Sequence, residues 1–277
     1  MARIMLTSDL HYCEPVWYEV TSEDRMGRMI RDLGAEYEKE PFDMLLMLGD
    51  YSLDFWVCPP FGSVLNRGTS WTEKFMKDIY PQLPPCPKYM IAGNHEQYGE
   101  AEWRTRTGQP RAQAVVLGEL LFILCDSFSG NLDPVENSDG TYLPLDCTMI
   151  RDALDAHPDL PAILCAHYFD FANESDEFIR LVREEDRILA LAAGHTHLSA
   201  VLPAGDTGKV ILQTGNFSYS GMKDPRDSYR GWRELWWDGE KLSSWYHVAP
   251  GDGVHGGAAF TVEEHTQDPW EGLFPAK

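Results

Sequence analysis

Short, nearly all-apolar runs recur along this chain, and each breaks off onto polar residues. Arg3 to Thr7 precedes Asp9-Leu10-His11, Met44 to Leu48 precedes Gly49-Asp50, and Lys88 to Ala92 precedes Gly93-Asn94-His95-Glu96. Ile163 to Ala166 precedes His167, and Ile188 to Ala193 precedes Gly194-His195-Thr196-His197. Apolar runs of this length bounded by turn formers predict buried strands. Between them the spacing turns helical. Met26, Met29, Ile30 and Leu33 predict a helix opened by Ser22 or Asp24, running through Lys39 and ended by Pro41. Thr69 or Ser70 opens a second that stops near Pro81, and Pro84, Pro85 and Pro87 stiffen the entry to the next strand. Asp146 caps a third helix to His157, closed by Pro158, and Glu174 to Glu184 is a fourth. Ala114 to Leu117 and Leu120 to Cys125, around Gly118-Glu119, predict a hairpin.

Beyond His197 the period falls to two. Ser199 to Pro203 with Lys209 to Thr214, and Gly231 to Trp237 with Lys241 to His247 turned at Asp238-Gly239, predict two antiparallel pairs. The expectation is an α/β fold of two mixed sheets packed together with helices outside. At 277 residues and 43% hydrophobic content, one large domain over residues 1 to 249 suffices. Residues 250 to 277, rich in Gly, Pro and acid, are expected to wrap that domain or to stay mobile.

Five predicted strands deliver polar residues to one sheet edge, the place where α/β folds bind ligands. Asp9 with His11, and His195 with His197, stand two residues apart, so in an extended segment both members of each pair point the same way. The ordered motifs, spanning roughly residues 2 to 216, resemble the calcineurin-like metallophosphoesterase superfamily, in the branch whose last motif is Gly-His-x-His. The resemblance implies a four-layered α-β-β-α sandwich and two metal ions. One ion would be held by Asp9, His11, Asp50 and His197, the other by Asp50, Asn94, His167 and His195, with Asp50 bridging. Carboxylate, amide and imidazole donors suit Mn, Fe or Zn.

Such a pair of cations, about 3.5 to 4 Å apart, binds both nucleophile and phosphoryl oxygens and acidifies a bridging water, giving in-line attack by hydroxide. The leaving alkoxide needs a proton, and His95 is the candidate general acid. In the protein-phosphatase branch the second motif runs Gly-Asp-x-x-Asp-Arg-Gly; here it runs Gly49-Asp50-Tyr51-Ser52-Leu53-Asp54-Phe55, with the second carboxylate one residue late and no Arg. Asp54 either orients His95 or caps a helix or turn. This departure counts against protein-phosphatase activity.

Candidate substrate-binding residues lie on the loops rimming that edge. Phe55, Trp56 and Phe61 with Pro59-Pro60, Tyr98 and Trp103, and Tyr168, Phe169 and Phe171 either stack a planar group or pack their loops. Arg104 and Arg106 either clamp phosphate or pair with neighbouring acids. Asn216 either faces the cleft or shapes a turn with Gly215. Trp232, Trp236 and Trp237 read as sheet packing, His157 as a helix-end residue, and His247, His255 and His265 lack ligand spacing.

The net charge of −21 disfavours duplex nucleic acid as a partner, because that affinity is built from Lys and Arg on phosphates. Cys13, Cys58, Cys86, Cys125, Cys147 and Cys165 contain no Cys-x-x-Cys pair and read as free thiols. Neither a targeting segment nor a membrane span is evident, so the expected setting is cytoplasmic. The leading reading is hydrolysis of a small phosphodiester, nucleotide-like if the aromatic rim stacks a base. The alternatives are a phosphomonoesterase or phosphoprotein phosphatase, and a non-catalytic scaffold on the same fold. Oligomeric state stays open.

Overall fold

Alternation along the strands decides the layering. In the computed structural model, which describes all residues except 15, 17–19, 59–61, 64–69, 133–138, 220–228, 256–257 and 275–277, β1 (Ala2–Thr7) turns Ala2, Ile4 and Leu6 one way and Met5 the other. After α1 (Ser22–Lys39), β2 (Met44–Met47) repeats the pattern, with Met44 and Leu46 inward and Leu45 and Met47 outward. A short pair, β3 (Val57–Cys58) and β4 (Gly62–Ser63), precedes α2 (Trp71–Lys74), which continues as a π turn and a 3₁₀ turn to Gln82. β5 (Lys88–Met90) and α3 (Glu100–Thr107) follow, then the hairpin β6 (Gln113–Leu117) and β7 (Leu120–Leu124). The remaining elements are α4 (Cys147–Ala156), β8 (Ala162–Ala166), α5 (Asp176–Glu184), β9 (Ile188–Ala193), β10 (Val201–Pro203), β11 (Val210–Gln213), β12 (Gly231–Trp237), β13 (Lys241–Val248), β14 (Gly251–His255), β15 (Ala258–Val262) and β16 (His265–Leu273).

One sheet runs β16-β13-β12-β1-β2-β5 and the other β10-β11-β9-β8-β7-β6. Ile4, Leu6, Leu46, Phe122, Leu124, Ile163, Ala190 and Leu235 fill the space between them. The outer face of the first sheet packs Met5, Leu45 and Met47 against Met26, Met29 and Leu33 of α1. The outer face of the second packs Ile123 and Leu164 against Ile150 and Leu154 of α4 and Phe178 and Val182 of α5. The result is the expected α-β-β-α sandwich of two mixed sheets.

Several details differ from the sequence reading. Thr21, one residue earlier than expected, caps α1 by accepting from Asp24 N at 3.1 Å. Gln97 to Pro110 is not simply a rim loop, since α3 occupies its centre. β14 and β15 pair antiparallel, and β16 extends the first sheet alongside β13. Phe61, Pro59 and Pro60 lie outside the described residues.

β1, β2 and β5 are mutually parallel, as are β7, β8 and β9. The carboxyl ends of β1, β2, β5, β8 and β9 therefore open onto one edge. Arg111 fastens that edge from the side: its guanidinium grips Asp126 through two bonds of 2.8 Å and donates to the carbonyls of Glu96 (3.1 Å) and Tyr98 (2.6 Å). Burial raises the Asp126 carboxyl, but the Arg111 bonds outweigh it and hold it below the ordinary range. Arg111→Met, which leaves Asp126 uncompensated, is expected to lower unfolding free energy by ~3 kcal/mol at pH 7, measured by urea denaturation. A depressed folded-state carboxyl stabilises above its unfolded pKa of about 3.9 and loses that contribution as pH falls through the folded value. The gap between wild type and variant should accordingly shrink in acid; a gap that widens below pH 4 would contradict the pairing.

Candidate metal centre

Two loops run side by side where β1 and β2 end. Asp9 N bonds Gly49 O at 3.0 Å, Leu10 N and His11 N bond Asp50 O at 2.8 and 3.0 Å, and Tyr12 N bonds Tyr51 O at 2.7 Å. The register sets Asp9 and His11 beside Asp50. The pairs do not converge through extended alternation, as the spacing had suggested. Asp9 (φ 54°), His11 (φ 50°), Asp50 (φ 56°), His195 (φ 65°) and His197 (φ 60°) all adopt the left-handed conformation. That region costs a non-glycine residue of order 1 kcal/mol, and such strain concentrates at functional sites. Two glycines are required by close approach. A Cβ on Gly93 would lie 2.1 Å from Asp50 Oδ1, and one on Gly194 would lie 2.1 Å from Ser8 Oγ.

The side chains then meet. Asp50 Oδ2 stands 3.3 Å from His167 Nε2, 3.6 Å from His11 Nε2 and 3.7 Å from His95 Nε2. Asp9 Oδ1 stands 3.2 Å from His197 Nε2, and Asn94 Oδ1 stands 2.9 Å from His167 Nε2 and 3.0 Å from His195 Nδ1. Donors around one ion at 2.0 to 2.2 Å lie roughly 3.0 to 3.4 Å apart, so this spacing fits coordination. Asp9 Oδ1 is buried and accepts no hydrogen bond, an arrangement a cation would relieve. The structure thus brings together all seven sequence-proposed ligands, Asp9, His11, Asp50, Asn94, His167, His195 and His197. These residues fit two metal ions sharing Asp50.

Surrounding groups fix the rings. His167 Nδ1 faces Leu48 O at 2.6 Å, which turns Nε2 toward Asp50. His197 Nδ1 contacts the Tyr219 hydroxyl, and Tyr168 lies against His195 with ring centroids 4.6 Å apart. Burial lowers His11 and His195 to about 4, so both imidazoles are neutral and available as ligands at pH 7. Burial also disfavours His167 as a cation, but Asp50 outweighs it and holds that ring up at about 9.

Glu96, quoted in the motif without a role, accepts from Asp50 N (2.9 Å), Gly93 N (2.9 Å) and Ser52 N (3.0 Å). It ties the two motif loops together. Ser8 and Ser218 grip Asp9, the first through the carboxylate and the second through its carbonyl. Asp139, from the stretch between β7 and α4, accepts from Asn94 Nδ2 at 3.0 Å. That element-poor length, with Asp139-Gly140 as a turn signal, was the available clue.

Two proposed roles do not match the placement. Asp54 accepts from Trp71 N (2.7 Å), Thr72 N (3.0 Å), Ser70 Oγ (2.9 Å) and Tyr98 OH (2.6 Å), so it serves the start of α2 and does not orient His95. Arg104 pairs with Glu100, while Arg106 pairs with Glu102 and Glu73 and covers the Tyr98 ring; neither lines the cleft, and Tyr98 is buried. Trp56 does line it, edge-on to His95 at 6.1 Å. Asn216 shapes its own turn, accepting from Ser218 N and Tyr219 N.

A cavity of about 260 Å³ opens onto the centre, lined by His11, Asp50, Leu53, Trp56, Asn94, His95, Asp139, His195 and His197.

A family model described as calcineurin-like phosphoesterase matches residues 2–199. No curated protein matches the sequence in the comparison made. Among solved structures, a dimetal phosphatase from Danio rerio superposes with a TM-score of 0.62 at 12% identity, covering 96% of this chain and 98% of that one. A purple acid phosphatase from yellow lupin gives 0.56 at 13% identity, covering 98% of this chain and 53% of that one. GAP50, titled the anchor in the inner membrane complex of Plasmodium, gives 0.55 at 12% identity, covering 95% and 89%. At these identities the likeness is one of fold.

Proposed function

We propose, on the premise that this chain belongs to the calcineurin-like phosphoesterase family, that it hydrolyses small phosphodiesters at a dinuclear metal centre built from Asp9, His11, Asp50, Asn94, His167, His195 and His197. The observation carrying this reading is the complete donor set, converging on a cleft whose described lining contains His95 but no Lys or Arg. The fold alone does not separate enzyme from scaffold, since GAP50 shares it. The donors do. Two ions, Mn, Fe or Zn by the chemistry of the donors, would supply an acidified water and neutralise phosphoryl oxygens. Asp50 then holds both halves of the site in register, and His167 and His195 fix Asn94 between them.

His95 is the proton donor in this reading. Its backbone N bonds Asp50 Oδ1 at 3.1 Å, and its ring lines the cleft while Trp56 and His11 wall it edge-on. His95→Gln is expected to leave metal content unchanged and to slow hydrolysis of alkyl phosphodiesters about 10²- to 10⁴-fold, with far less effect on nitrophenyl esters, whose leaving group needs little protonation. Equal losses on both classes would remove His95 from proton transfer.

Among the described residues the cleft is lined by no guanidinium, which suits a monoanionic diester better than a dianionic monoester. The function is tested by turnover of bis(p-nitrophenyl) phosphate against p-nitrophenyl phosphate after stripping and reloading with Mn. Diester preference is expected; monoester preference would redirect the assignment to a phosphatase, and inactivity with Mn, Fe and Zn would favour the scaffold. Among the described residues no helix is long and apolar enough to cross a membrane, and Cys13, Cys86, Cys125, Cys147 and Cys165 are free thiols, which supports a cytoplasmic setting as part of the same proposal.

A further inference from the structure

The mouth of the cleft carries a carboxylate that no motif includes. Asp139 is 72% exposed at its side chain, lines the cavity and stands 3.9 Å from His95 Nε2. The turn that bears it is pressed onto the Asn94 loop. Gly140 has φ 73°, and a Cβ there would lie 2.9 Å from Asn94 O. Farther along, Leu143 N bonds Ser127 O at 2.9 Å, and Tyr142 bonds Glu174 while packing edge-on against Phe128 and Tyr168, each at 5.9 Å. The carboxylate is thus fastened in place over the centre. Oδ1 receives Asn94 Nδ2, which points the Asn94 amide oxygen at His167 and His195.

We propose that Asp139 is a specificity-determining residue, whose fixed negative charge beside the phosphate-binding centre disfavours dianionic phosphomonoesters relative to monoanionic phosphodiesters. This rests on the dinuclear phosphoesterase reading. A monoester carries one more unit of negative charge at neutral pH than a diester, and both present their phosphoryl oxygens to the same place. A carboxylate at that mouth repels the second charge. One extra unit charge a few ångströms away in a partly solvated cleft corresponds to a discrimination of about fivefold to tenfold. The hydrogen bond to Asn94 needs only an acceptor, so an amide at position 139 can keep it while removing the charge.

The test uses Zn-loaded protein at pH 8 and reads binding as well as turnover. Inorganic phosphate and dimethyl phosphate are titrated calorimetrically into wild type, Asp139→Asn and Asp139→Ala, with zinc content measured on each, and the diester to monoester ratio of kcat/KM is determined in parallel. In Asp139→Asn, with two zinc ions retained, phosphate should tighten about fivefold to tenfold more than dimethyl phosphate, and the diester preference should fall by a similar factor. An unchanged ratio in both measurements would overturn the assignment, as would loss of zinc from Asp139→Asn, which would make the residue a positioning group for Asn94. Asp139→Ala should show the same charge effect and, having lost the Asn94 partner, weaker zinc retention. Wild-type protein that holds no zinc would instead overturn the dinuclear reading, and this inference with it.

Discussion

Replacing Asp50 by Asn is expected to empty both metal positions and to reduce turnover by at least about a thousandfold. The reason is geometric. Asp50 Oδ2 lies within 3.7 Å of ring nitrogens from three loops, His11, His95 and His167, while Oδ1 accepts the His95 backbone N–H. An amide carries no charge to offset two cations, and its NH₂ turns donors toward one of them. Losing several kcal/mol of transition-state charge stabilisation costs tenfold per ~1.4 kcal/mol. Metal analysis and diester turnover on the same preparation decide the matter: a variant retaining two ions and full activity would sink the bridging role. The protein should also become easier to unfold in the presence of metal, because ions that bind only the native state stabilise it.

Gly93→Ala is expected to be nearly as damaging without removing any donor atom. The added Cβ would lie 2.1 Å from Asp50 Oδ1 and 2.5 Å from Asp50 N, distances no relaxed structure tolerates. Either the Asn94-His95 loop or the Asp50 loop must move, and Glu96 clamps both by accepting from Gly93 N and Asp50 N at once. The expected cost is about 2 to 4 kcal/mol of stability, in the range of overpacking combined with a broken buried network. Loss of metal binding should accompany it. Calorimetric unfolding of the metal-free and metal-loaded variant reads both effects; a variant that unfolds like wild type and binds two ions would show that the loops are softer than their hydrogen bonds indicate.

The strands carrying the centre were legible because a strand buried on both faces leaves an unbroken apolar run, and Ile188 to Ala193 matches β9 residue for residue. The donors were legible because Asp, His and Asn at strand ends are chemically conspicuous. Helix α3 was not. Glu-Ala-Glu-Trp-Arg-Thr-Arg-Thr buries only Trp103 and Thr107, and its surface is held by Glu and Arg four residues apart, so no apolar stripe announced it. Strand β16 was hidden likewise, since it lies at an edge and its residues are mostly exposed. Asp54 sits beside the Asp50 motif in sequence, but its partners at Ser70 to Thr72 are set by the path of the loop. Spacing also could not foretell the left-handed turns at Asp9, His11 and Asp50, because Asp and His accept that conformation without requiring it.

The first strand lies in the middle of its sheet, and its neighbour on one side is β12, with Ile4 opposite Leu235. Arg3 completes the junction through its buried ion pair with Glu234 at 2.7 Å. On the ribosome, where chains emerge at roughly 5 to 20 residues per second, β1 waits about 10 to 50 s for that partner. During the wait one flank of an apolar strand, with Asp9 just beyond it, stays unzipped and open to pairing with other chains. β1 therefore stays paired on one side only until β12 has emerged, and nascent chains lacking β12 are expected to be those most in need of a chaperone.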